Sequence, residues 1–243
     1  MSLTIVLITV VSFNLMSQDL NLDQVLSAYY KAIGMAKINE WKTLTMTCKS
    51  SFQGVEFPVT IITKRPGKIR TEVEIQGNKS IQAFDGTIGW SISFGEGSLE
   101  PQDLTLDEIK SMKDQADIDG ALFNWKEKGH KVELIGMEDV DGTQTYKVKI
   151  IKANGDIETD FIDADSFIPI KITAVSIIQG NESESESYPG NYKEVNGAML
   201  PFVLENKFKG QNDQMVTQYI LIDKYEVDKD VDDLLFVKPG KKH

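Results

Sequence analysis

Cysteine and histidine are almost missing from this chain. Among 243 residues there is one cysteine, Cys48, and there are two histidines, His130 and His243. A single cysteine excludes a disulfide within the chain, and so few Cys and His residues exclude a zinc site of ordinary Cys/His spacing. Basic residues are also short: 26 Lys and Arg stand against 37 Asp and Glu, a formal net charge of -11. A chain so balanced lacks the basic patch that phosphate backbones require, which excludes nucleic acid as a partner, and anionic membrane surfaces repel it. G-x-S-x-G, phosphate-loop and H-E-x-x-H motifs are absent, so no metal or other cofactor is implied. What remains is 41% hydrophobic and 26% charged, ordinary for a folded protein and incompatible with wholesale disorder.

The longest apolar run is Leu3–Met16, within a first 18 residues that carry no charge. As a helix it spans about 21 Å, short of the roughly 30 Å of a bilayer core. Its length is that of a signal-peptide apolar region, with small Ser17 next to a cut. The spacing therefore predicts an export signal over residues 1–18 and one domain over 19–243, since no Pro/Ser-rich linker divides the rest. The competing reading of the run is an N-terminal core strand.

Leu22–Gly34 has an apolar face made by Val25, Leu26, Tyr29 and Ile33, which predicts a helix capped by Asn21 or Asp23 and stopped by Gly34. A short helix follows over Met35–Glu40. Thr105 and Glu108 form a capping-box pattern ahead of a third, Leu104–Ala116. Elsewhere the period is two. Leu44, Met46 and Cys48, then Phe57, Val59 and Ile61, then Ile69, Val73 and Ile75 alternate with polar residues, with Gly54, Pro66-Gly67 and Gly77-Asn78 between the runs. Further strands surround Asp85-Gly86, and seven more follow Lys131. About a dozen strands with hairpin-length links make a purely antiparallel sheet, and a sheet of that size must curl. The fold class is mainly β with α (α+β): a curved antiparallel sheet forming an unclosed β-barrel, with helices covering the concave face.

Candidate chemistry is sparse. A nucleophile needs a base within hydrogen-bond reach. His243 is the last residue, His130 reads as a solvated turn residue, and Cys48 sits on the apolar face of a strand as a small core hydrophobe. Asp160, Asp163 and Asp165 lack the glycine and closing glutamate of a calcium loop. Asp228, Asp230, Asp232 and Asp233 read as a solvated loop and the cap of a terminal helical turn. These patterns predict no catalytic residues and no metal ligands. Glu182–Ser187 reads ESESES, with no apolar face. It is expected to be an edge strand whose charge blocks aggregation, ahead of an acidic docking strip for a basic partner.

Several stretches together resemble the LolA-like outer-membrane lipoprotein-sorting (lipoprotein carrier) family in its Bacteroidetes form: TKRPGKIRTEVEIQG (63–77), IQAFDGTIGW (81–90), FIDADSFIPIK (161–171), NYKEVNGAMLPFVLE (191–205) and VDDLLFVKP (231–239). The resemblance implies a periplasmic protein with an unclosed barrel and a helical lid over an apolar cavity for lipid acyl chains. It also implies lid control by the arginine of the Arg-Pro motif, here Arg65. The tryptophan that follows that motif in proteobacterial carriers falls at Thr71 here. Envelope-stress sensors of the same fold bind a membrane-anchored regulator, so the fold leaves an interaction module as the alternative. The residues' own pattern agrees with a carrier, not an enzyme. Leu44, Met46, Phe57, Val59, Ile61, Ile69, Val73, Ile75 and Trp90 are expected to line a concave apolar face, either as a lipid-binding cavity or as a filled core. Expected partners are lipoprotein or lipid acyl chains and inner- and outer-membrane sorting proteins, with the chain itself a monomer.

Overall fold

The computed structural model describes residues 20–75, 77–93, 100–178, 180–210 and 214–240. The expected export signal, His243, and parts of the turns after Ser93 and Gly210 lie outside the described residues. Helix α1 (Leu22–Ile33) begins with a reciprocal cap: Asn21 Oδ1 accepts from the Gln24 N–H, and the Gln24 side chain accepts from the Asn21 N–H, both at 3.0 Å. It ends where Gly34 turns left-handed, at φ 73°, and leads directly into α2 (Met35–Ile38). Helix α3 (Leu106–Gln115) carries the expected Thr105–Glu108 box.

The strands are β1 (Thr43–Phe52), β2 (Val55–Lys64), β3 (Lys68–Ile75), β4 (Asn78–Phe84), β5 (Gly89–Ile92), β6 (Gln102–Asp103), β7 (Lys131–Val140), β8 (Thr143–Ile151), β9 (Ile157–Asp163), β10 (Pro169–Ile178), β11 (Asn181–Gly190), β12 (Lys193–Val195), β13 (Ala198–Leu200), β14 (Val203–Lys209) and β15 (Met215–Val227). Thirteen of them form one curved, unclosed antiparallel sheet in the order β6-β5-β4-β3-β2-β1-β15-β14-β11-β10-β9-β8-β7. β12 and β13 make a separate hairpin. The long pairing of β1 with β15, from Leu44 opposite Val227 to Phe52 opposite Gln218, joins two meanders into one sheet. Its ends are tied: Asp228 Oδ1 accepts from the Lys42 N–H at 2.6 Å, and Thr43 Oγ1 donates to the Lys229 carbonyl at 2.8 Å.

Register carries face identity across the sheet, because opposite residues point the same way. The inner face contains Leu44, Met46, Ile61, Ile69 and Phe84 at one end and Val148, Ile150 and Ile162 at the other. α1 packs Val25 and Leu26 on the second group, and α3 packs Met112 and its neighbour Ala116 on Ile69 and Phe84. The outer face of β2–β5 is covered by the C-terminal segment. There the Trp90 indole N–H donates to the Phe236 carbonyl at 2.8 Å, Arg70 donates to the Leu235 carbonyl at 2.7 Å, and Asp233 pairs with Lys64 and Lys68.

Two expectations fail on register. Trp90 lies on the outer face, not in the concave lining, since it pairs with Ala83, which pairs with Arg70. The inner position of β5 is taken by Gly89, packed so tightly under Leu104 that a Cβ there would meet its Cδ1 at 2.9 Å. The ESESES strand is not an edge. β11 runs between β10 and β14, with Glu182, Glu184 and Glu186 on the outer face and Ser183, Ser185 and Ser187 on the inner one. On the outer face Glu186 meets Lys171 at 2.9 Å, and the Lys171 and Lys207 ammonium groups sit over the Tyr188 ring. The polar ESESES stretch is accommodated there because its glutamates face outward and only small serines face inward.

A Cβ at Gly34 would lie 2.3 Å from the Gly197 carbonyl oxygen. Gly34→Ala is therefore expected to cost about 2 kcal/mol or more in urea unfolding, adding a backbone clash to the left-handed penalty. Gly54→Ala, at φ 81° in open space, should cost about 1 kcal/mol.

Candidate functional site

An apolar cleft of about 270 Å³ opens between the inner face and the segment that follows α3. Leu44 and Met46 of β1, Ile61 and Thr63 of β2, Ile69 of β3 and Tyr225 of β15 form its floor. Gln115, Asp117 and Ile118 form its roof. Four of the expected lining residues, Leu44, Met46, Ile61 and Ile69, thus come together. Phe57, Val59 and Val73 lie further along the same face, packed around Cys48 and Ile222 as a filled core. Ile75 is 45% exposed at the far end of β3. Thr63, Tyr225 and the roof residues were not anticipated. The period-two pattern of β15 contains Tyr225, but nothing local to Gln115–Ile118 shows that this turn folds over the sheet.

Arg65 fastens that roof. Its guanidinium makes a bidentate contact with Asp119, Nη1 to Oδ2 at 2.6 Å and Nη2 to Oδ1 at 2.5 Å. Nε donates to the Trp41 carbonyl at 2.7 Å, and Nη2 also donates to the Ile38 carbonyl at 3.2 Å. One side chain from the β2–β3 turn therefore holds both the end of α2 and the loop after α3. The planar fork of arginine suits this, where lysine would reach only one partner. The hydrogen bond to Asp119 holds the guanidinium's affinity for its proton above the ordinary arginine value. α3 itself is fixed to the opposite half by charge: Lys110 meets Asp156 at 2.9 Å, and Asp114 meets Lys152 at 3.2 Å.

The other end of the interior is polar. Lys152 also pairs with Glu158 at 2.8 Å, beside a cavity of about 310 Å³ that His130, Lys128 and Asp117 help to line. His130 Nδ1 accepts from the Ala153 N–H at 3.1 Å, and desolvation first, then Lys128 and Lys152, lower its affinity for a proton. Asp160, two residues beyond Glu158 on the same strand face, is 4% exposed, and its Oδ1 has no hydrogen-bond partner. Burial, reinforced by Glu158, pushes its pKa well above the usual carboxylate range. Cys48 is enclosed in the core, and burial pushes its thiol up to about 11, so it is not poised as a nucleophile.

No protein-family profile and no curated protein sequence matches the chain. Solved structures do match its shape. A LolA superfamily protein, NE2245 from Nitrosomonas europaea, superposes with a TM-score of 0.59 at 14% identity, over 90% of this chain and 98% of its own. The fold is LolA-like. A DUF1329 family protein from Desulfovibrio piger gives 0.59 at 11% identity, over 88% and 97% of the two chains. A domain named for outer-membrane lipoprotein sorting, from Vibrio parahaemolyticus, gives 0.58 at 9% identity, over 89% and 97%. The chain therefore spans nearly the whole of each of these three structures, and what is shared is architecture.

Arg65→Leu should lower stability by about 2 kcal/mol, because it strips Asp119 and two carbonyls of their donors. Hydrogen exchange should quicken at Ile38–Trp41 and in the loop around Asp119, with β7–β9 unchanged. Asp160 gives a pH prediction. Its folded pKa is raised above the unfolded one, so its contribution is most favourable at low pH and is lost as pH rises through the folded value. Asp160→Asn should therefore stabilise by about 1 kcal/mol or more at pH 8 and by little at pH 4, read from urea midpoints.

Proposed function

We propose that this protein is a carrier of the periplasm that shelters acyl chains of a lipid or lipoprotein in the cleft beneath α3 and the loop after it, in outer-membrane lipoprotein sorting. The observation that carries this reading is the cleft itself. Leu44, Met46, Ile61 and Ile69, besides their core contacts, border an open volume under a roof fastened by polar contacts. Each methylene moved from water into such a site contributes about 0.8 kcal/mol, so even part of an acyl chain gives useful affinity. The thioether of Met46 adapts to chains of differing shape.

The roof suits reversible opening. Arg65 and the α3 ion pairs use charged groups that water can solvate once released, so parting them costs less than breaking an apolar seam of equal area. The cavities on either side of α3 share its residues: Asp114 lines two, Gln115 two and Asp117 more than one. Movement of α3 would join them into one compartment nearer the size usual for ligand sites. In this reading Arg65 controls the lid, and the work of the protein is binding and release, without a catalytic step.

The test is binding of a fluorescent acyl probe and its displacement by unlabelled fatty acyl chains. The protein should bind the probe saturably, and Arg65→Leu should speed its release several-fold. Saturable binding that acyl chains cannot displace, or no binding at all, would overturn the reading.

A further inference from the structure

Beside the apolar cleft lies a polar cavity that an acyl chain alone does not use. We propose that this cavity, lined by Lys113, Lys128, His130 and Lys152, receives a phosphate group, carried as the polar end of an amphiphilic ligand or free in solution. The amphiphile rests on the carrier reading, to which the cavity adds the chemical class of the ligand's polar end.

Three segments bring the basic groups to one volume of about 310 Å³. Lys113 stands in the last turn of α3, Lys128 and His130 just before β7, and Lys152 just after β8. The roof of the cleft is also a wall of this cavity. Asp117 lines both, Ile118 lines the cleft, and Gly120 and Ala121 line the cavity. The two compartments are thus separated by one turn of the chain, across which an amphiphile held in the cleft would present its polar end.

Three carboxylates share the lining, and each is already met. Asp117 Oδ2 accepts from Lys128 at 2.5 Å and its Oδ1 from the Asp119 N–H at 3.2 Å, while Asp114 and Glu158 both meet Lys152, at 3.2 and 2.8 Å. The donors are not used up. Lys113 has no carboxylate partner among the described residues, and its ammonium stands over the Phe84 ring at 5.8 Å. His130 Nδ1 accepts from the Ala153 N–H at 3.1 Å, which puts the proton of the neutral ring on Nε2. That N–H has no partner among the described residues. Lys152 makes two contacts, and so does Lys128, whose second is to the Gly120 carbonyl at 2.7 Å, and an ammonium group has three N–H donors.

Three lysines against three carboxylates leave this lining formally neutral, in a chain of net charge -11. What it has in excess is donors, and what it lacks is an acceptor with several oxygens. Phosphate suits it better than carboxylate. Its tetrahedral oxygens accept from several directions, as these donors approach, and lysine binds phosphate as a point charge, whereas a planar carboxylate matches the fork of an arginine. A bound phosphate would also raise the affinity of His130 for a proton. Desolvation, Lys128 and Lys152 now lower it, against the opposing pull of Asp114 and Asp117.

The experiment compares three competitors of equal chain length, dodecyl phosphate, dodecanol and dodecyltrimethylammonium, against a fluorescent apolar probe. They are used at pH 7 and 0.15 M salt, below their aggregation concentrations. Dodecyl phosphate should displace the probe about tenfold more strongly than dodecanol, with the cation weakest, the reverse of the order an acidic surface alone would impose. The double variant Lys113→Gln with His130→Asn keeps an acceptor for the Ala153 N–H. Folded by circular dichroism and melting temperature, it should bring dodecyl phosphate within about threefold of dodecanol and leave dodecanol unchanged. Inorganic phosphate at about 20 mM identifies the source. If it shifts the His130 ring resonances, free phosphate enters the cavity; if dodecyl phosphate alone shifts them, the amphiphile's head is the ligand, and either result upholds the site. Dodecyl phosphate no stronger than dodecanol, an advantage that survives in the folded double variant, or a His130 ring unmoved by both phosphates would overturn the proposal and leave the carrier reading standing. Displacement by none of the three would overturn both.

Discussion

The pairing of β1 with β15 is the contact on which the rest of the structure depends. It joins strands more than 160 residues apart and merges two local meanders into one thirteen-stranded sheet. Closing so long a loop is entropically costly, although the cost grows only slowly with length. The extended register, the Asp228 cap on Lys42 and the Thr43 contact to Lys229 offset it. Once this seam is set, side-chain period two decides the inner face of every other strand. It brings Met46 opposite Tyr225 and so assembles the floor of the cleft from both ends of the chain.

The helices then meet the sheet in two different ways. α1 is held by apolar burial, with Val25 and Leu26 enclosed against β8 and β9. α3 has a firm apolar footing only on one half, around Ile69 and Phe84, and reaches the other half through Lys110–Asp156 and Asp114–Lys152. Arg65 adds a third polar tie between the loop after α3 and the end of α2. Apolar contacts are lost in proportion to area, whereas charged groups regain water when they part. Around the cleft, these polar ties thus stand beside the apolar footing of α3 on Ile69 and Phe84.

The acidic balance that set this chain apart is distributed with purpose inside the fold. The glutamates of β11 lie outward, and Glu186 among them is met by Lys171. The serines between them keep the inner face clear of bulk. Asp160 stands apart because its carboxyl is buried and faces inward with Oδ1 unpartnered, while Lys152 pairs with Glu158 and Asp114.

Much of the architecture was legible in the sequence, because helices and half-buried strands write their periods and their caps locally. The cap at Asn21 or Asp23, the Thr105 box, the Gly34 stop and the alternation in β1–β3 each depend on residues within a few positions of one another, and with them the helix and strand order and the antiparallel, unclosed class. Leu44, Met46, Ile61 and Ile69 could be assigned to one face for the same reason. What lies over that face could not be read, since Gln115, Ile118 and Asp119 reach the cleft only through the path of a turn. Nor could strand neighbours be read from alternation. The ESESES strand looks like an edge until β14 is seen beside it, and Trp90 looks inward until Gly89 is seen to occupy the inner position. The sequence by itself determined the elements and the two faces of each strand. Only the tertiary structure decided which strands adjoin, where the apolar face stays open, and that Asp160 is buried without a donor, because these follow from contacts between residues far apart in the chain.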